Sequence, residues 1–169
     1  MPANSARTRS LRHETDHGPR LLGALRRSPA ALAGYLALQE GLARGRLSPV
    51  ERCLIGLMVA QRCGSAYWLS VQTNLARKAG MNTEQIAEAR EGSGASERHI
   101  ALLFLAGKLV INRGELAEAD LAAARQAGIT EAEITEIIFH VGLNLSAAAV
   151  SHATRLKLDF PPAPPVPAF

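Results

Sequence analysis

The sequence predicts an all-α protein with about seven or eight helices. The chain has 169 residues and is 47% apolar, which is enough for one domain with a substantial core. Only 4% of the residues are aromatic, so Ala, Leu, Ile and Val must form that core. This composition favours close-packed helices over a sheet. Helix start and stop signals recur along the chain, and no stretch indicates a strand.

Four helices are expected in the first half of the chain, at residues 19–25, 29–44, 49–62 and 65–79. Ser28 and Pro29 supply an N-cap and a first-turn proline for the second helix. Ser48 and Glu51 form a capping box at the start of the third helix. Residues 53–60 are apolar on almost every side, so this third helix should be buried on most faces.

The second half predicts four more helices, at residues 82–91, 96–112, 117–127 and about 131–156. Thr130 and Glu133 form a capping box at the start of the last and longest helix. This helix is rich in small residues, which let another helix approach closely: Gly142, Ser146, Ala147, Ala148 and Ala149. We therefore expect a core seam or a subunit seam along it.

The charge distribution divides the chain into three parts. Residues 1–27 carry six arginines and two acidic residues, which accounts for the formal charge of +4, and the remainder carries thirteen residues of each sign. We expect a flexible basic arm at 1–18, a helical domain at 19–161 and an extended Pro-rich tail at 162–169. A basic arm can contact phosphates without specificity, but a solvated terminus is the simpler interpretation.

Cysteine usage and hydropathy favour a cytoplasmic protein. Cys53 and Cys63 lie ten residues apart in one predicted helix, about 15 Å along its axis, which is too far for a disulfide. Free thiols suit a reducing compartment. We find no apolar run long enough for a membrane span and no signal segment. The sequence shows no metal-ligand cluster or phosphate-binding loop, so we expect no metal, no cofactor, and no membrane or nucleic-acid partner.

Several segments resemble one known family, in the same order and at the same spacing. They are residues 27–32 (RSPAAL), 47–52 (LSPVER), 76–80 (ARKAG), 137–144 (IIFHVGLN) and 159–161 (DFP). They are similar to segments of the alkylhydroperoxidase D-like branch of the carboxymuconolactone decarboxylase family. The resemblance covers about residues 20–161. It implies an alkylhydroperoxidase D-like helical bundle whose subunits associate into homotrimers or hexamers.

The resemblance also identifies the positions of an active site. In that branch the site segment reads Gly-Cys-x-x-Cys-x-x-x-His, with a Glu twelve residues before the first Cys. Here the two Cys positions hold Ser65 and Trp68, the His position holds Gln72, and the Glu position holds Cys53. Peroxide reduction needs an attacking thiolate, a resolving thiol and a proton relay. None of these four replacements supplies its part, so thiol peroxidase activity is not expected.

Cys53 and His140 keep two interpretations each. Cys53 is either a relocated nucleophile or, as its apolar helix favours, an unreactive core thiol. His140 and Asn144 share a helix face, so both are possible cleft-lining residues. Between a cleft-lining and a hydrogen-bonded core His140, the sequence favours the core residue. Trp68 should fill the space of the missing second sulfur.

Two functional hypotheses follow. The first is a family member that has lost thiol catalysis and serves as a small-molecule-binding or structural homo-oligomer. The second is an antioxidant or other small-molecule enzyme that uses Cys53, Gln72 and His140 in the same cleft. A cavity of more than trivial volume beside Trp68 would favour the second hypothesis.

Overall fold

The computed structural model describes residues 18–164, and in this part of the chain all regular secondary structure is helical, without a strand. Its elements are α1 (Pro19–Leu25), α2 (Pro29–Ala43), α3 (Pro49–Arg62), α4 (Ala66–Lys78), α5 (Thr83–Glu91), α6 (Glu97–Ile111), α7 (Glu118–Gln126) and α8 (Glu131–Ala153). The all-α prediction is confirmed. The predicted ends agree to within one or two residues, except that α8 ends three residues early.

The helix α3 lies at the centre of the bundle. It packs against α4, α5, α6 and α8. Every residue from 53 to 60 is buried, as the unbroken apolar run predicts. Its capping box is also confirmed: the Glu51 amide donates to Ser48 Oγ at 3.2 Å, and the Ser48 amide donates to Glu51 Oε2 at 2.8 Å. The start of the central helix is therefore fixed by its own first turn.

The guanidinium of Arg98, in the first turn of α6, joins the first turns of α3 and α8. Its Nε donates to Glu51 Oε1 at 2.7 Å, and its Nη2 donates to Glu133 Oε1 at 2.6 Å. Both glutamates are also the capping-box carboxylates of their helices. Arg98 Nη1 donates to the Gly128 carbonyl at 2.7 Å. One side chain thus joins α6 to α3 and α8, two of the helices that carry predicted site residues.

The longest helix, α8, meets the length and composition of a membrane span, contrary to the expectation from sequence. Half of that apolar window is buried inside the fold, however, as in the core helix of a soluble protein. Its small residues divide between two faces. Ala147 and Ala148 are buried against neighbouring helices, whereas Gly142, Ser146 and Ala149 are exposed. The close helix packing predicted from the small residues of α8 is thus seen on the face that carries Ala147 and Ala148.

The terminal segments lie mostly outside the described residues. Of the predicted arm at 1–18 only Gly18 is described, and of the predicted tail only residues 162–164 are described; those three are not helical. The buried Arg90 holds this end of the chain: its Nε donates to Gln61 Oε1 at 2.9 Å and its Nη1 donates to the Pro164 carbonyl.

Replacing Arg98 with Met should lower the free energy of unfolding by about 2–4 kcal/mol, because two largely buried carboxylates lose their partner. The hydrogen bond from Arg98 is the main reason that the pKa of Glu133 falls from 4.5 to about 2. A carboxyl with a lowered pKa stabilises the fold above its unfolded pKa and loses that contribution as the pH falls. The stability gap between wild type and R98M should therefore narrow from pH 4.5 towards pH 2, as measured by urea unfolding.

The matched control is Arg125→Met. Arg125 also bridges two glutamates, Glu118 and Glu131, but all three side chains are exposed. Surface pairs of this kind contribute little, so R125M should unfold like the wild type. If R98M lowered the free energy of unfolding no more than R125M does, this result would contradict a central role for the Arg98 bridge.

Candidate functional site

A cavity of about 340 Å³ lies between α2, α3, α4 and α8. Five of the six predicted site residues line it, namely Cys53, Trp68, Gln72, His140 and Asn144. Helical spacing explains the convergence. Trp68 and Gln72 are four residues apart on α4, and His140 and Asn144 are four apart on α8, so each pair presents one face. The cavity exceeds the smallest volumes typical of ligand sites.

The amide of Asn144 holds the side chains of Trp68 and Gln72 on α4 in place. Its Oδ1 accepts from Trp68 Nε1 at 2.8 Å and from Gln72 Nε2 at 3.0 Å. Its Nδ2 donates to the His140 carbonyl at 2.7 Å. All three side chains are buried, so these bonds are protected from competing water. Trp68, Gln72 and Asn144 thus form one rigid, hydrogen-bonded wall of the cavity.

The close packing of Gln72 depends on a glycine in the facing helix. A Cβ at Gly56 would lie 2.2 Å from Gln72 Oε1, far inside van der Waals contact. Because Gly56 has no Cβ, the side-chain amide of Gln72 fits against α3. This contact could not be read from the sequence, because it depends on the relative rotation of two helices.

The sixth predicted residue, Ser65, does not line the cavity. It is the N-cap of α4, and its Oγ accepts from the Trp68 amide at 3.1 Å. The same Oγ is 2.8 Å from Ser151 Oγ on α8. Ser65 is therefore a structural residue that begins α4 and fastens it to α8.

The thiol of Cys53 lines the cavity but is only 8% exposed. Burial raises its pKa to about 11, and the nearby charge of Arg52 only partly offsets this effect. Such a thiol is almost entirely protonated at neutral pH, which favours the unreactive interpretation. Cys63, just beyond the end of α3, is half-buried, and both cysteines are free thiols.

The imidazole of His140 is 5% exposed, and its Nε2 has no hydrogen-bond partner among residues 18–164. Burial lowers its pKa to about 4, with the charge of Arg52 acting in the same direction and that of Glu136 against it. The ring is therefore neutral at pH 7. The ring is buried, as the core interpretation of His140 expects, and it also belongs to the lining of the cavity, as the cleft-lining interpretation expects.

Both charged residues in the described lining of the cavity are basic. Arg52 and Lys78 line it, and no Asp or Glu belongs to its described lining. Arg52 Nη1 donates to the carbonyls of Leu47 at 3.0 Å and Ala43 at 3.3 Å, which fixes the guanidinium between α2 and α3.

The sequence analysis missed both basic residues. Arg52 directly precedes Cys53, and the spacing of Pro49, Arg52 and Cys53 would have placed them on one helix face. Tyr35 and Gln39 of α2 were missed as well. Across residues 18–164 no cluster of three or more His, Cys, Asp or Glu could hold a metal ion.

Comparisons with solved structures agree on the fold. An uncharacterised peroxidase-related protein of Silicibacter sp. TM1040 superposes with a TM-score of 0.74 at 21% identity, covering 80% of this chain and 74% of the other. A protein of unknown function from Agrobacterium tumefaciens, ATU0492, suggested to be the antioxidant defence protein AhpD, gives 0.73 at 18% identity, covering 80% and 95%.

A third structure contains a ligand. A Cys-to-Ala variant of the debrominase Bmp8, in complex with 2,3,4-tribromopyrrole, gives a TM-score of 0.76 at 14% identity, covering 86% of this chain and 81% of the other. No curated protein matches the sequence. Residues 29–103 match the carboxymuconolactone decarboxylase family. The chain therefore has the alkylhydroperoxidase D-like fold, and its residues 29–103 are similar to the carboxymuconolactone decarboxylase family.

Proposed function

We propose that the protein binds a small organic molecule in the cavity beside Trp68 and does not act as a thiol peroxidase. The observation that carries this proposal is the wall formed by Trp68, Gln72 and Asn144. The residues at three family site positions line an open cavity, two of them held by the same buried amide. A site without a function would not be expected to keep both an open cavity and a hydrogen-bonded polar wall.

The chemistry of Cys53 supports the loss of peroxidase activity. A thiol with a pKa of about 11 is on the order of one part in ten thousand thiolate at pH 7. The two Cys positions of the family motif hold Ser65 and Trp68, so neither position supplies a resolving cysteine. Without a reactive thiolate and a resolving thiol, the catalytic cycle can neither begin nor close.

A second candidate function is an enzyme with altered chemistry in the same cavity. It is favoured by the cavity of about 340 Å³ beside Trp68, which the sequence analysis gave as the sign of this hypothesis, and by the neutral His140 in its lining. In that case any turnover found for a cavity ligand would be lost in His140→Phe, while binding would persist.

We also propose that the subunits self-associate through α6 and α8. Large apolar side chains are exposed on these two packed helices: Ile100, Phe104, Ile111, Ile138 and Phe139. Apolar surface of this kind marks interaction sites more often than chance. The exposed small residues of α8, among them Gly142 and Ser146, would allow close approach on the same helix.

The absence of thiol peroxidase activity is tested with purified protein, a dithiol reductant and an organic hydroperoxide. Wild type, Cys53→Ser and Cys63→Ser should all show only the uncatalysed rate. In parallel, Cys63 should react with iodoacetamide at pH 7 much faster than Cys53, as followed by mass spectrometry. Turnover that disappears in C53S but survives in C63S would show that the nucleophile has moved to position 53 and would overturn the proposal.

Self-association is tested by light scattering coupled to size-exclusion chromatography. Phe104→Asp and Phe139→Asp should reduce the assembly to a smaller species, because a buried charge is costly at an apolar interface. Leu158→Asp, which alters an exposed apolar residue outside both helices, is the control and should keep the wild-type mass. A monomeric wild type would refute the proposed interface.

A further inference from the structure

We propose that α2 is a lid, which opens locally between two fixed ends and so controls entry to the cavity that it covers. The role of this opening in ligand entry rests on the proposed ligand-binding function, whereas the opening itself does not. The support comes from the sparse burial of α2, the empty space beneath it, its interior glycines and the contacts at its two ends.

Few side chains of α2 are buried in the fold. Of its 15 residues only Tyr35 and Leu42 are buried, whereas α6, which has the same length, buries six. Three more side chains of α2 are partly buried against the same core cluster, namely Leu32, Leu36 and Leu38. Because tertiary packing supplies most of the stability of a helix in a bundle, α2 is held less firmly than α6.

The inner face of α2 lies against the cavity. Tyr35, Gln39 and Ala43 are spaced four residues apart, share this face and line the cavity. Residues of α3 and α4 line the same cavity, so about 340 Å³ of space separates them from this face. The packing partners of α2 are α1 and α8. A helix that faces empty space lacks the dispersion contacts that a filled interface would supply.

Two glycines weaken α2 from within, and no neighbouring side chain requires them. Gly34 and Gly41 are both exposed, and a Cβ built at either position would meet no atom within 4 Å. Gly56 on α3 is different, because a Cβ there would collide with Gln72. Glycine inside a helix lowers its stability relative to alanine. The residues of α2 therefore favour local opening without any gain in packing.

The C-terminal end of α2 is fastened to the body of the bundle. Arg52 Nη1 donates to the Ala43 carbonyl at 3.3 Å. In the loop that follows, Oε2 of Glu136 on α8 accepts from the amides of Arg46 at 2.8 Å and Leu47 at 3.3 Å. This end of the lid is therefore a fixed point.

The other fixed point is α1, which residues 26–28 connect to α2. The Arg20 amide donates to Asp159 Oδ2 at 3.1 Å, and the Leu21 amide donates to Tyr67 Oη at 3.0 Å. Side chains of α1 are also buried in the core. Because both flanking segments are held, the opening is confined to α2 itself, as in other lids that move between short hinges.

Hydrogen exchange of the full chain, followed by mass spectrometry, tests the opening. The amides of α2 should exchange faster than those of α6, because α2 opens while the rest of the fold stays closed. Gly34→Ala should slow exchange in α2 by about twofold to fivefold. Ala37→Gly, at an exposed position of the same helix, should speed it by about the same factor.

Entry to the cavity is measured by alkylation with iodoacetamide, with no ligand present. Cys53 lines the cavity and is only 8% exposed, so the reagent should reach it through the open state. Its alkylation rate should fall in G34A and rise in A37G by the same factors as the exchange of α2. Cys63 does not line the cavity and is the internal control, so its rate should stay constant in each variant.

Gly142→Ala and Ala149→Gly on α8 are the matched controls. Both positions are exposed, and a Cβ at Gly142 would meet no atom within 4 Å. These two variants change helix propensity by the same amounts as G34A and A37G, but outside α2. Exchange in α2 and alkylation of Cys53 should therefore keep their wild-type rates.

Three results would overturn the lid. The amides of α2 could exchange no faster than those of α6. Equal effects of G34A and G142A on exchange in α2 would show that this helix opens only when the whole fold does. Unchanged alkylation of Cys53 in both G34A and A37G would show that entry does not pass through α2. None of these measurements uses a ligand, so each of these failures would leave the proposed ligand-binding function standing.

Discussion

The bridge formed by Arg98 is the interaction on which the geometry of this bundle depends. It joins Glu51 at the start of α3 to Glu133 at the start of α8. Each glutamate also caps its own helix, so the same carboxylates set where the helices begin and how they lie relative to one another. A cavity built between α3 and α8 therefore takes its shape partly from contacts at their N-terminal ends.

The two basic residues of the cavity and its neutral histidine depend on the same packing. Arg52 follows Glu51 in the first turn of α3, so fixing this turn also fixes the guanidinium. Its charge then acts with burial to keep His140 neutral across physiological pH. The electrostatics of the site thus follow from helix placement rather than from any one catalytic side chain.

Local signals in the sequence were enough to predict the helices. Caps such as Ser48 with Glu51 and Thr130 with Glu133 act within one turn, so their effect can be read residue by residue. The residue set of the site was also largely predictable, since five of six candidates meet at the cavity. Ser65 was the exception, because only the packed structure shows that its hydroxyl is used between α4 and Ser151.

The features that could not be predicted all depend on which faces of two helices meet. Arg98 is forty-seven residues from Glu51 in sequence, and nothing local connects them. The placement of Arg52 and Lys78 at the cavity, and of Gln72 over Gly56, likewise requires the rotation of each helix about its axis. These contacts belong to the tertiary structure. The helical period shows which residues share one face of a helix, but not which faces of two helices meet.

The shared acceptor at Asn144 has an evolutionary consequence. Its Oδ1 accepts from both Trp68 and Gln72, so replacing both with residues that cannot donate a hydrogen bond would leave a buried oxygen unsatisfied. The three positions should consequently diverge as a group, with each change tolerated only on the background of the others.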